Sequence, residues 1–274
     1  MKERRYYYFD ERNDDFAATD IHTKPTPADY DYQPKNIFYR FFKPIVYYLV
    51  LLLVVVEVRL LLFVPVKNRR VLLRRRDRKK GYFLYSNHTS YLTDAISPPA
   101  AAFPRPCSVV VGPDALSIPG MKLLLRFLGA IPTPQALASF RPFEAEIRRI
   151  YERGGAISIF PEAHIWPKYS AIRDFPAVSF AYPVRLNAPC FARTTIYRKT
   201  RSGRTRRMVV YDGPFYPDPD LPAAQAKADL CRRVKERMRE RCEQYQSSPD
   251  PNYTYIRVDS PEKVRWEIKN RQIR

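Results

Sequence analysis

Ile45 to Val56 is an unbroken run of twelve apolar residues within the longer stretch IFYRFFKPIVYYLVLLLVVVEVRLLLFVPV, residues 37–66. A helix needs about 20 apolar residues to cross a bilayer, so the run alone falls short. Extending it to Val66 supplies the length but takes in Glu57 and Arg59, each costing about 2.5–3.5 kcal/mol at a helix centre. The stretch therefore predicts a helix that lies along, or dips into, one leaflet, with a buried core helix as the competing reading. The residues that follow, KNRRVLLRRRDRKK (67–80), form a dense cationic collar. Basic residues beside an apolar anchor gain about 1 kcal/mol each from an anionic leaflet and mark the cytoplasmic side. Anchor plus collar predicts membrane association at the cytoplasmic face, with anionic lipids as partners.

The rest of the chain agrees in charge. Lys and Arg number 48 against 28 Asp and Glu, a formal +20 in 274 residues, which favours a polyanionic partner. Residues 1–35 (MKERRYYYFDERNDDF onward to TKPTPADYDYQPKN) are polar, aromatic and proline-punctuated, and read as a weakly ordered arm without a secretory leader. Cys107, Cys190, Cys231 and Cys242 form no C-x-x-C pair. They signal neither a zinc site nor a disulfide framework and read as reduced thiols.

From Gly81 onward short apolar runs alternate with helical patterns. YFLY (82–85), CSVVV (107–111) and AISIF (156–160) read as strands, as do 188–197 and 207–211. Residues 121–128, FEAEIRRIYER (143–153) ending at Gly154-Gly155, and QAKADLCRRVKERMRERCEQ (225–244) read as helices. The expected fold is α/β, a mixed sheet flanked by helices and preceded by the apolar helical segment. The boundaries are an arm at 1–35, a membrane-associating segment at 36–60, an α/β domain at 61–246 and a tail at 247–274.

Reactive groups gather at the carboxyl ends of strands in open α/β sheets, and two candidates stand there. Asn87-His88 follows YFLY, and Pro161-Glu162 follows AISIF. A histidine can deprotonate a hydroxyl near neutral pH, and does so better when a carboxylate fixes its tautomer. Asp94 is the only acid between Asp77 and Asp114, which makes it the partner to consider for His88. A hydrolase triad is disfavoured because Ser86, His88, Ser90 and Asp94 share one segment and no G-x-S-x-G elbow is present. The His and acid spacings match no metal motif either.

Four blocks in order resemble one family, the glycerophospholipid acyltransferases of the 1-acylglycerol-3-phosphate type. NHTSYLTD (87–94) resembles its N-H-x4-D block, and ALSIPGMKLLLRFLGAIPTP (115–134) its proline-glycine segment. IFPEA (159–163) resembles its F-P-E-G block, and NAPCFARTT (187–195) a closing strand. The resemblance spans roughly Leu61 to Tyr197. It implies that His88 is the general base, that Asp94 orients it, and that an acceptor hydroxyl attacks an acyl thioester with no acyl-enzyme. Substrate contacts are implied for Asn87, Glu162, His164 and Arg173. The implied acceptor is a lysophospholipid, foremost lysophosphatidic acid, giving phosphatidic acid. The implied donor is acyl-CoA or an acyl carrier protein thioester, with no metal and no resident cofactor.

Two departures bear on the site. His88 and Asp94 are separated by five residues rather than four, which on a continuous helix would rotate the acid by about 100°. A loop at the start of that segment would restore the reach. Glu162-Ala163-His164-Ile165 stands where the family has E-G-T-R, so Arg173 or His164 would have to take over the missing arginine's phosphate contact. The competing function is a basic membrane-surface or nucleic-acid-binding protein without catalysis. No nucleic-acid motif supports its second form, and nucleic acid is not an expected partner.

Overall fold

The computed structural model describes residues 3–17, 25–27, 29–56, 64–117, 120–200 and 203–268. In chain order the strands are β1 (Arg4–Tyr8), β2 (Val66–Lys67), β3 (Tyr82–Ser86), β4 (Cys107–Val111), β5 (Ile131–Pro132), β6 (Ala156–Ile159), β7 (Cys190–Lys199), β8 (Thr205–Phe215), β9 (Tyr253–Arg257) and β10 (Arg265–Ile268). The helices are α1 (Ile37–Val56), α2 (Tyr91–Ala102), α3 (Pro113–Ser117), α4 (Met121–Phe127), α5 (Phe140–Glu152), α6 (Ala181–Leu186) and α7 (Ala223–Gln244).

Seven strands make the main sheet in the order β2-β8-β7-β3-β6-β4-β5. β7, β3, β6, β4 and β5 run parallel, β8 is antiparallel to β7, and β2 follows β8. The central strands are short and apolar throughout because both faces are covered. Side chains alternate across the pleat. Phe83, Tyr85, Ile157 and Ile159 pack under Phe143 and Ile147 of α5 and under Leu230, Val234 and Met238 of α7. Tyr82, Leu84 and Ala156 face the other way, onto Ala101 and Ala102 at the end of α2 and onto Leu72. The α7 core contacts Ala226, Leu230, Val234 and Met238 recur every four residues and leave Arg232 and Arg239 on the outer face. Gly154, at φ 80°, turns the chain out of α5 and into β6, a backbone that side-chain-bearing residues avoid.

The arm and the tail differ from their sequence reading. Arg4–Tyr8 is ordered as the centre of a second, three-stranded sheet, parallel to β9 and antiparallel to β10. Its inner face buries Tyr6 and Phe16 against Trp166, with Tyr8, Tyr169, Tyr253 and Tyr255 around them. Tyr255 stacks flat on Trp166 at 4.9 Å. The two ends of the chain thus form one aromatic unit docked on the loop after β6. Neither end had apolar alternation to announce a strand, and the partners lie far apart in sequence.

Among the described residues no helix is long and apolar enough to cross a membrane. The charged part of the predicted segment, Glu57 and Arg59, lies outside the described residues. α1 rests on the domain by one side only. Tyr47 and Leu51 are buried, Tyr39 donates to the Arg126 carbonyl at 2.9 Å, and Tyr48 donates to the Pro104 carbonyl at 3.0 Å. Phe38, Phe41, Ile45, Leu49, Leu52 and Val56 are exposed. They follow the three- and four-residue spacing of a single helix face, and an outward apolar stripe of this kind marks an interaction surface rather than a solvated one.

Candidate active site

β3 delivers its last residues to the carboxyl edge of the sheet, where the pleat gives way to an extended loop at 87–90. Asn87 is buried and continues the ladder with its side chain. Its Nδ2 donates to the Thr195 carbonyl at 3.0 Å, and its Oδ1 accepts from the Thr195 N–H at 2.8 Å. Both polar ends of Asn87 are thereby occupied by β7, so the residue pins the loop to the sheet. His88 follows with its side chain 17% exposed, its ring 4.5 Å from that of Phe160 and tilted by 32°.

The longer His–Asp spacing is accommodated as geometry demands. Ser90 is extended (φ −154°, ψ 131°) and α2 starts only at Tyr91, so residues 88–90 swing back over the first turn that holds Asp94. Asp94 Oδ2 accepts from His88 Nδ1 at 3.1 Å and from the N–H groups of Thr89 and Ser90 at 2.7 and 2.8 Å. One carboxylate oxygen therefore orients the imidazole and ties the backbone of Thr89 and Ser90 to the first turn of α2. Burial would raise this carboxyl, but the hydrogen bond and charge of His88, then Arg193, then the Thr89 N–H outweigh it and hold it below the ordinary aspartate value. An ionised Asp94 requires the proton on Nδ1, which leaves Nε2 as the nitrogen that can accept one. The second oxygen, Oδ1, faces Arg193 Nη1 at 3.9 Å, both side chains being wholly buried. Arg193 also donates through Nη2 to Ser97 of α2.

The loop after β6 grips His88 from the opposite side. Glu162 Oε2 accepts from the His88 N–H at 3.0 Å, the His88 carbonyl accepts from the Trp166 N–H at 3.1 Å, and the Thr89 carbonyl accepts from the Lys168 N–H at 2.9 Å. Glu162 is buried beside Arg173, itself only 1% exposed. Glu162 Oε1 accepts from the Arg173 N–H at 3.1 Å and Oε2 from its Nη2 at 3.3 Å. The Arg173 guanidinium also donates to the carbonyls of Glu11 and His164 and lies over the Trp166 ring at 4.9 Å. Burial raises the Glu162 carboxyl above its ordinary value, although Arg173 and the two N–H donors act against it. His164 sits at the rim, about one-third exposed, with Nδ1 3.7 Å from Asp15 Oδ2.

Of the six residues singled out in the sequence, His88, Asp94, Glu162 and Arg173 are brought into one hydrogen-bonded group. Asn87 faces β7 from within the interior, and His164 faces the arm. Arg193 was not singled out, although it lies in the quoted strand block. An arginine inside CFARTTIY, a strand with so few other charges, is the signal that could have found it. Trp166, Glu11 and Asp15 were missed: Trp166 reaches His88 through its backbone N–H, and the two residues of the arm meet the β6 loop across a separation of about 150 residues that no local pattern bridges. Among the described residues no group of three or more His, Cys, Asp or Glu stands close enough to hold a metal ion.

A parallel-dominated sheet carrying a His–carboxylate pair at a strand's carboxyl end is the arrangement of an α/β enzyme. The Acyltransferase family model matches residues 65–206, more than half of the chain. The chain belongs to the Acyltransferase family, as its four sequence blocks indicate. Among solved structures it is similar to the 1-acyl-sn-glycerophosphate (LPA) acyltransferase PlsC from Thermotoga maritima, at 18% identity and a TM-score of 0.52, over 77% of this chain and 90% of that one. At that identity the likeness is one of fold. No curated protein sequence matches the chain.

Proposed function

We propose that the protein transfers a fatty acyl chain from a thioester to the hydroxyl of a lysophospholipid, with lysophosphatidic acid as the first candidate acceptor and phosphatidic acid as the product. The single observation that carries this reading is the His88–Asp94 pair, oriented by a carboxylate oxygen that also receives two backbone N–H groups. His88 Nε2 takes the proton of the acceptor hydroxyl as its oxygen attacks the thioester carbonyl. The tetrahedral intermediate collapses, the C–S bond breaks, and the thiolate leaves with the proton that His88 had taken. Because a thioester is already activated, a positioned base and a bound acceptor supply most of what the reaction needs. The donor is acyl-CoA or an acyl carrier protein thioester, and no resident cofactor is required.

The exposed apolar stripe of α1, followed by the basic collar, supports work at the cytoplasmic membrane surface, where acceptor and product partition. Burying such a stripe in lipid gains roughly 25 cal/mol per Å², and the collar adds attraction to anionic lipid. The test is transfer from a labelled long-chain acyl thioester to lysophosphatidic acid in anionic vesicles, with His88→Ala run alongside. Loss of about 10³-fold or more in turnover is expected for the variant, with unchanged circular dichroism and vesicle cosedimentation. Wild-type protein that transfers to no lysolipid or glycerol phosphate acceptor from either donor would sink the reading and leave a non-catalytic membrane-surface protein.

A further inference from the structure

A cavity of about 870 Å³ opens at the β2 edge of the main sheet, away from the catalytic loops. It is walled by Arg69, Arg70 and Arg74 from the short 3₁₀ turn after β2, by Asp212 to Phe215 at the end of β8, and by Arg237 and Arg241 of α7. β8 and β7 separate it from β3. It descends toward the amino ends of the parallel strands, with Phe215 opposite Cys190, the first residue of β7. His88 leaves the sheet at the other end.

Five arginines meet one carboxylate here, and that carboxylate is already spent. Asp212 is buried and accepts from Arg241 Nε on both oxygens, at 3.0 and 2.9 Å. Arg69 is held by neutral groups, donating to the Ala101 and Phe103 carbonyls at 2.8 Å each, and it forms no ion pair among the described residues. Arg237 pairs with Glu240 at 3.1 Å on the helix surface, while Arg70 and Arg74 are exposed on the rim. Guanidinium groups converging on a concavity concentrate positive potential and suit bidentate binding of phosphate oxygens. The cavity also falls in the size range of ligand sites. Its rim adjoins the apolar stripe: Arg69 binds the carbonyl of Phe103, half of whose surface is exposed, and the next residue, Pro104, accepts from Tyr48 of α1.

We infer that this groove is a second, non-catalytic binding site for a multiply charged phosphate group, either a phosphomonoester or a pyrophosphate. A lipid headgroup and a soluble phosphorylated molecule both present that chemistry. The inference does not depend on acyl transfer and is tested by binding alone.

Inorganic pyrophosphate is titrated calorimetrically into the full chain, into Arg70→Glu/Arg74→Glu, and into Lys79→Glu/Lys80→Glu, a double variant of equal charge change in the same collar but outside the groove. Thermal melts show whether each variant folds. The groove predicts a weakening of about tenfold or more in the arginine variant and less than about twofold in the lysine variant. Equal weakening in both, or in neither, overturns the site. Displacement of pyrophosphate by dispersed short-chain phosphatidic acid assigns the groove to a lipid. Displacement by adenosine 3′,5′-bisphosphate alone assigns it to a soluble phosphate. Displacement by neither overturns the proposal.

Discussion

The segments that follow β3 and β6 invite comparison, because these strands are parallel neighbours and each segment, the first through the opening turn of α2, sends a carboxylate into the interior. Asp94 and Glu162 are both buried, and each receives three N–H donors. Their charge states are nevertheless pushed in opposite directions. At Asp94 the donors lie at 2.7, 2.8 and 3.1 Å and converge on one oxygen. At Glu162 they lie at 3.0, 3.1 and 3.3 Å and are divided between two. Hydrogen bonding and charge outweigh burial in the first case, and burial wins in the second. The first loop has been built around an anion that must remain an anion. The second has been built as a brace, whose carboxylate matters for what it holds.

The largest effect expected from this contrast is on Asp94→Asn. The substitution keeps the volume but removes the charge that fixes the proton on Nδ1 of His88, so turnover should fall about 10²–10⁴-fold with little change in the apparent KM for the acceptor. Its stability should also lose a pH dependence. A carboxyl held below its unfolded value stabilises the fold above the ordinary carboxylate range, and that contribution disappears as pH falls through its lowered value. Glu162 has the reverse sign, since its raised value costs stability as pH rises through the window above the ordinary glutamate value. Urea unfolding at stepped pH reads both. A D94N protein with wild-type turnover would mean that another group orients His88.

Next in size is Arg173→Ala. It leaves Glu162 buried without its cation, which costs about 3–5 kcal/mol for pairs of this kind, read as a lowered urea midpoint. Because Glu162 holds the His88 N–H, part of the loss should reach turnover as well. Glu162→Gln with Arg173→Met removes the charge and its partner together and should recover most of the stability. If the single variant is as stable as wild type, Glu162 is already neutral in the folded protein and the brace is not ionic.

These two loops also show what a sequence reveals. YFLY and AISIF announced their strands because short apolar runs between turn signals are local, and the structure moves their ends by no more than one residue. The His–Asp pair was legible as chemistry, and the five-residue spacing posed a question that only the extended backbone at Ser90 answers. Arg173 and Arg193 were harder. A basic residue reads as solvated by default, and both are interior because distant acids and carbonyls surround them. The second sheet was unreadable for a related reason. RRYYY has no period-two pattern, and its partners stand at the other end of the chain. What was missed in each case depends on contacts that no local window contains.

The smallest expected effect falls on the arm. Asp15 accepts from the Ile165 N–H at 3.0 Å and approaches His164 at 3.7 Å, with both side chains about one-third exposed or more. The partly exposed contact with His164 is worth little in water, less than about 1 kcal/mol, and the backbone hydrogen bond adds about 1 kcal/mol. Asp15→Ala should therefore lower stability by no more than about 2 kcal/mol and change turnover less than about threefold, measured in the vesicle assay beside D94N. The contrast between the loops rests on that inequality, because the described residues of the arm touch the β6 loop, which in turn holds His88. A loss of turnover comparable to that of Asp94→Asn would mean that the terminal sheet sets the position of His88 directly. The brace and the arm would then have to be counted as one positioning device with the base.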